Sequence, residues 1–216
     1  MHKILSISCL LLLSQAAQGA ESKVSYGDFY KRLDVVNKQG LTQVSPAFFL
    51  LSPDGTGPCI LNDAYLQTNA QKVAVKQTID GELILPFDAR LKQDKAELVM
   101  DFAADEPNCA MSIQTKLIKP ISQVTEVSAL LDIANELEML MKGHAGFWGK
   151  LFLPDFNGIS LQLSDDLDSD SVSIAGDDFN VVNHKVNLTK QWLEEQGDKP
   201  LELTFQVIDI KPWLAN

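Results

Sequence analysis

Two short stretches carry the residue types that do chemistry. The first is Gly143-His144-Ala145-Gly146-Phe147-Trp148-Gly149, with Asp155 a few residues on. A histidine titrates near neutral pH, so His144 can move a proton, and Asp155 can orient the imidazole. Phe147 and Trp148 can stack on a sugar ring or a peptide side chain. The same residues also suit a helix end, with the aromatics packed in the core and the histidine near the negative end of the helix dipole. The second stretch is Asp165-Asp166-Leu167-Asp168-Ser169-Asp170-Ser171. Asp166, Asp168 and Asp170 alternate as the first ligands of a Ca2+ loop do, and Asp177 falls at the twelfth position. Ser171 stands where such a loop needs glycine, so a solvated acidic connection competes with the calcium reading.

Other chemistries lack their spacing. There is no Gly-x-Ser-x-Gly nucleophile turn, no zinc signature and no phosphate-cradling glycine loop. Paired carboxylates stay open, because acidic residues are plentiful and pairs formed in space are invisible in a sequence. A net charge of −11 repels phosphate backbones and anionic lipid, so nucleic acid is not an expected partner.

The chain opens with an export pattern. Met1-His2-Lys3 is a short basic start, Ile4 to Leu13 is an apolar core, and Ala17-Gln18-Gly19 supplies small residues for cleavage. An apolar core of about ten residues is too short to span a bilayer, which takes roughly 20. Residues 1–19 therefore read as a signal peptide, the product as periplasmic, with no membrane insertion after cleavage. Cys9 leaves with the leader. Cys59 and Cys109 remain as an even pair in an oxidising compartment, without Cys-x-x-Cys spacing, and are expected to form a structural disulfide. Closing a loop of this length stabilises by about 4 kcal/mol in the chain-entropy account.

The elements that must position these residues follow from periodicity. Ser25 to Gln39 reads as a helix with Tyr26, Phe29, Tyr30, Leu33 and Val36 on one face, ended by Gly40. Val44 to Ser52 and Cys59 to Leu66 read as strands. Lys72 to Ile79 and Glu82 to Leu85 flank Asp80-Gly81, a hairpin signal. Asp88 caps a helical turn over Ala89 to Lys92. Leu98, Met100 and Phe102 alternate with Glu97, Val99 and Asp101, and Cys109 to Leu117 alternates likewise. Thr125 to Lys142 is the longest helix, stopped by Gly143, Gly146 and Gly149. Leu151 to Leu153, Ile159 to Leu163 and Val172 to Ile174 read as strands, Thr189 to Gln196 as a helix, and Leu201 to Val207 as a late strand that Pro212 ends.

Landmarks recur in order. Leu33-Asp34-Val35-Val36-Asn37-Lys38 is matched by Leu137-Glu138-Met139-Leu140-Met141-Lys142, 104 residues on. Pro53-Asp54 and Phe87-Asp88 are matched by Pro154-Asp155 and Leu188-Thr189, 101 residues on, and Asp94-Lys95 by Asp198-Lys199, 104 residues on. This suggests two tandem related units, residues 20–121 with the disulfide and residues 122–216. Strands that follow one another through turns alone point to an α+β fold of antiparallel sheets with segregated helices.

Tyr26-Gly27-Asp28-Phe29-Tyr30-Lys31-Arg32-Leu33, then Phe48-Phe49-Leu50, then Gly81-Glu82-Leu83-Ile84-Leu85-Pro86-Phe87-Asp88 resemble a family of exported gammaproteobacterial proteins without an established activity. The resemblance supports a periplasmic address and transfers no functional residue. The expected role is a soluble binding, scaffold or envelope-accessory protein without covalent chemistry, its partner an envelope protein or a small ligand. The alternative is a hydrolase of envelope glycans or peptides using carboxylates and His144. The natural product is expected to begin at Ala20 and to show no alkylatable thiol without reductant; a retained leader or two alkylated cysteines in its intact mass refutes this.

Overall fold

The computed structural model describes residues 21–54, 57–102, 109–121, 124–149, 152–167 and 169–215. The expected signal peptide lies outside them. The chain is α+β. Its first half contains β1 (Glu21–Ser25), α1 (Tyr26–Gln39), β2 (Val44–Leu51), β3 (Leu61–Gln67), β4 (Lys72–Ala74), β5 (Lys76–Gln77), β6 (Leu83–Ile84), α2 (Ala89–Gln93), β7 (Glu97–Phe102) and β8 (Ala110–Leu117). The second half contains α3 (Val127–Gly149), β9 (Phe156–Leu163), β10 (Ser171–Ile174), β11 (Asp177–Asn180), β12 (Lys185–Thr189), α4 (Lys190–Gln196) and β13 (Val207–Leu214).

In the first half an antiparallel sheet runs β1-β7-β3-β4, and β2 pairs antiparallel with β8 from Val44↔Leu117 to Leu51↔Ala110. The β5–β6 hairpin folds at Asp80-Gly81 as expected and docks on β2, where Leu50 N–H donates to Gly81 O at 3.0 Å. Gly81 has φ 88°, and a Cβ there would sit 2.7 Å from the Leu50 carbonyl oxygen, so both backbone and space demand glycine. The second half holds a sheet ordered β12-β9-β13 and the separate β10–β11 hairpin.

Each half has its own core. Tyr26, Phe29, Phe48, Leu50, Leu66 and Leu98 centre the first; Leu130, Leu137, Leu140, Ile159, Leu161 and Leu188 centre the second. The apolar stripe of α1 is the one expected, but its two ends serve different cores. Tyr26, Phe29 and Tyr30 are buried in the first, while Val36, Leu41 and Val44 pack in the second.

The halves meet where α3 crosses α1. Gly143 does not stop the helix, as its sequence context suggested; it lies within α3, and a Cβ on it would fall 2.4 Å from Val35 Cγ1. The glycine is there for close approach, and the helical backbone breaks only at Gly146, with φ 67° and ψ −169°. About two turns before Gly143, Glu136 reaches the loop between α1 and β2. Its carboxylate accepts from the N–H groups of Thr42, Gln43 and Val44 at 2.7 to 3.2 Å, and from the Thr42 hydroxyl at 3.1 Å.

Other differences have plain causes. The polar segment of β1 carries no strand pattern; it forms because β7 offers it a free edge, register Lys23↔Val99. Val99, expected to face water, is buried between its cross-strand neighbours Lys23 and Tyr65. The expected strand Lys72 to Ile79 divides at buried Val75, whose N–H turns to Ala64 O. Phe152 and Leu153 form a bend rather than a strand, with Phe152 85% exposed, and Leu151 lies outside the described residues. The late strand is Val207–Leu214, not Leu201 to Val207. Leu201 N–H is drawn to Thr125 O at 2.8 Å, and Pro212 is tolerated because β13 is an outer strand of its sheet.

Glu136→Ala leaves three backbone N–H groups without their charged acceptor. It is expected to destabilise the fold by about 1–3 kcal/mol, read as a lower urea midpoint at unchanged m; an unchanged midpoint refutes the clasp.

Candidate functional site

The residues expected to act together are placed apart. His144 is half-buried on α3, in a cleft of about 250 Å³ lined by Asp28, Lys31, Arg32, Val35 and Gly143. Its Nε2 lies 3.2 Å from Arg32 O. Burial holds the imidazole below its ordinary range, with the Arg32 carbonyl opposing that shift and the Arg32 charge adding to it. Asp28 shares the cleft, but its carboxylate pairs with Lys31 at 3.2 Å. Asp155 lines a different cleft, with Glu138, Met141, Lys142, Leu153, Pro154 and Phe156, and its carbonyl accepts from Ala215 N–H at 2.8 Å. The structure therefore does not bring Asp155 to the imidazole. The side chains of Phe147 and Trp148 lie outside what the structure describes.

The acidic stretch is dispersed as well. Asp166 sits in the turn after β9, its N–H 3.4 Å from Ser164 Oγ. Asp170 accepts through its main chain from Val181 N–H. Asp177 opens β11, and its Oδ2 accepts from Trp192 Nε1 at 2.7 Å and Gln196 Nε2 at 3.2 Å, tying the β10–β11 hairpin to α4. Asp168 lies outside the described residues. Among the described residues no three His, Cys, Asp or Glu side chains gather to hold a metal ion.

The disulfide is present. Cys59 and Cys109 are bonded with Cα atoms 6.0 Å apart, joining the approach to β3 to the start of β8. Cys59 is fully buried, its carbonyl accepting from Gln77 Nε2 at 2.7 Å.

A groove that sequence reasoning missed lies at the seam between the cores. Leu33, Val36, Asn37 and Gly40 form one stripe of α1; Leu41, Thr42, Ser45 and Phe87 complete the wall, enclosing about 440 Å³. No ionisable side chain lines it. Phe87 is 46% exposed, and its ring stacks on Tyr30 at 4.7 Å and 14°. The Lys92 ammonium lies 4.7 Å from the centre of the Tyr30 ring. The segment carrying Phe87 is held on both sides. Buried Tyr26 donates its hydroxyl to Pro86 O at 2.6 Å and accepts from Asp88 N–H at 3.0 Å, while the Asp88 side chain caps α2. Loss of water around it pushes the Tyr26 phenol up. Phe87 thus presents a rigid aromatic face. Its sequence context reads only as an apolar residue before a cap, because the ring it stacks on is 57 positions away. A groove of comparable size, about 480 Å³, runs between Pro120, Ile121 and Val124 on one side and Leu201, Leu203 and Phe205 on the other.

Residues 18–163 match the family described as Protein of unknown function (DUF2987). The chain belongs to that family. The matched span of this DUF2987 chain runs through β9, so it includes every residue of the seam groove and Glu136, and it ends before β10. No curated protein and no solved structure matches the chain. No helix among its described residues is long and apolar enough to cross a membrane.

His144 is held neutral by burial, so its folded value lies below the unfolded one and the unfolded chain binds more protons between them. Stability is complete above the unfolded value and is lost as pH falls towards the folded one. Urea midpoints measured from pH 7.5 to 5 should fall more steeply for the wild type than for His144→Gln; parallel curves refute this.

Proposed function

We propose that the protein is exported to the periplasm, sheds residues 1–19, and serves there as a binding or accessory protein without covalent chemistry, holding an uncharged apolar group in the seam groove. The group belongs to a small ligand or to an envelope protein. The leader pattern and a cysteine pair joined as a disulfide support the compartment. One observation carries the binding role: a stacked, half-exposed aromatic in the wall of an apolar groove, at the junction of two cores, with no ionisable side chain in its lining. Ligand sites favour such junctions and volumes of roughly 300–1,000 Å³. The carbonyl end of α1 lies at Gly40 in the groove wall, and the chain carries a net charge of −11. Both disfavour an anionic occupant, and a lining without carboxylates offers a cationic one no ion-pair partner.

Hydrolysis is the competing reading, because Asp28 and His144 share one cleft. It needs Asp28 to leave Lys31 and His144 to turn from a main-chain carbonyl. Turnover of envelope glycans or peptides that disappears in His144→Ala would establish it over binding.

The test uses Nile red, an uncharged dye whose emission rises in apolar surroundings. Saturable binding at one site is expected, weakened about tenfold or more by Phe87→Ala, since lost stacking and area together exceed ~1.4 kcal/mol. Phe152→Ala, which removes an exposed ring outside the groove, should leave binding unchanged. Equal affinity in Phe87→Ala and wild type overturns the proposal.

A further inference from the structure

We infer that the groove between Ile121 and Phe205 is an unfilled strand position, which takes an extended basic segment of another protein, apolar at alternate residues, as an antiparallel strand against Leu203 and Phe205. This goes beyond the seam groove and does not depend on it.

The groove wall has the sequence of a strand and no partner. Leu201, Leu203, Phe205 and Val207 alternate with Glu202, Thr204 and Gln206. Leu201 N–H is still paired, on Thr125 O at 2.8 Å. Among the described residues Glu202 to Phe205 then make no main-chain hydrogen bond. The chain bends at Thr204 and Phe205, and main-chain bonding resumes at Gln206, whose carbonyl accepts from Ser164 N–H at 3.0 Å. Over this gap Leu203 and Phe205 are half-buried and line about 480 Å³ of open space. Unpaired N–H and C=O groups beside apolar side chains are what an added strand recognises.

The first half has the same register and fills the position. Tyr26 N–H donates to Ala96 O and Val127 N–H to Lys199 O, both at 3.0 Å. Ser25 is then opposite Glu97, and Glu126 opposite Pro200. In the first half the pairing runs on to Glu21↔Asp101, so β1 seals one edge of β7 and β3 the other. Beneath them Leu98, Met100 and Phe102 are buried. In the second half only Leu201 is buried to the same degree, and the pairing ends there. Continued in that register, Phe205 N–H would meet Ile121 O. That oxygen accepts instead from Val124 N–H at 2.9 Å, closing a turn, and Pro120 beside it has no N–H to offer. The chain's own segment is thus turned away from the place that β1 occupies in the first half.

The free edge sets the chemistry of its occupant. Directly opposed side chains share a face, so apolar residues belong opposite Leu203 and Phe205. Glu202 alternates with them and is exposed, which favours lysine or arginine opposite it. The net charge of −11 attracts a basic segment and repels a second copy of this chain.

The probe is the peptide acetyl-Lys-Val-Lys-Val-Thr-Val-Lys-amide, titrated by calorimetry into the chain with its disulfide formed. One saturable site is expected, weakened about tenfold or more when glutamate replaces the lysines. Amide exchange at Leu203 and Phe205 should slow on binding. Two N-methylated peptides test the main chain, one methylated on the valines and one on the residues between. Only one edge of the added strand faces Leu203, so one form should lose about tenfold in affinity while the other stays within about threefold of the parent. Phe205→Ala, folded by near-ultraviolet circular dichroism, should lose about tenfold as well. Absence of saturable binding, equal affinity of the two methylated forms, or slowed exchange only elsewhere overturns the proposal. So does a chain that is already dimeric through Leu203 and Phe205 and excludes the peptide, which gives the groove to a second copy. If Phe205→Ala does not fold, the methylated pair decides by itself.

Discussion

The close approach of α1 and α3 is the contact on which the rest of the molecule depends. Two helices bearing side chains at the crossing would stand farther apart; with hydrogen at Gly143, Val35 fills the space and the axes close. That proximity brings Glu136 within reach of the loop from Thr42 to Val44, and a single carboxylate satisfies three main-chain donors that the turn would otherwise leave to water. The loop so held is also the wall of the seam groove. A glycine in the second half thus sets the shape of a cleft whose lining comes entirely from the first.

The same contact explains why the two cores are not independent. Leu41 and Val44 precede and begin a strand of the first half, yet they are buried in the second core, and α1 sends its early turns one way and Val36 the other. Removing this much apolar surface from water at a shared seam couples the halves at roughly 25 cal/mol per Å² buried. The disulfide acts elsewhere, inside the first half, where it joins the approach to β3 to the start of β8. The second half has no corresponding cysteines and is held by packing around Leu161 and by the Asp177 carboxylate that pins a hairpin to α4.

Much of the local structure was legible before any coordinates. Gly40 ends α1 as its chemistry says it should, in the left-handed region at φ 64°, while Ser25 stands at the N-cap position without a side-chain cap bond. Asp88 and Thr189 cap their helices through the expected side-chain bonds. The elements that escaped notice were those whose stability comes from a distant partner. β1 has no alternation and exists because β7 has an edge to offer, and β13 runs through a proline because it is itself an edge. Gly143 reads as a helix stop by local propensity, but its role is set by Val35, more than a hundred residues away.

For the site, residue type was a poor guide to proximity. His144 and Asp155 are eleven positions apart and reach different clefts, because the helix carrying the first ends before the strand introduced by the second. Asp166 lies in the turn after β9, Asp170 in the bend before β10 and Asp177 at the start of β11. What the amino acids determined alone was everything that acts within a few residues or through bulk composition: helix caps, turn glycines, amphipathic stripes, the acidic charge and the cysteine pair available for bonding. Tertiary structure alone decided which surfaces stay open. A groove is the place where packed elements fail to fill the space between them, and that depends on the relative placement of Leu33, Leu41 and Phe87, none of which is marked by its neighbours in the chain.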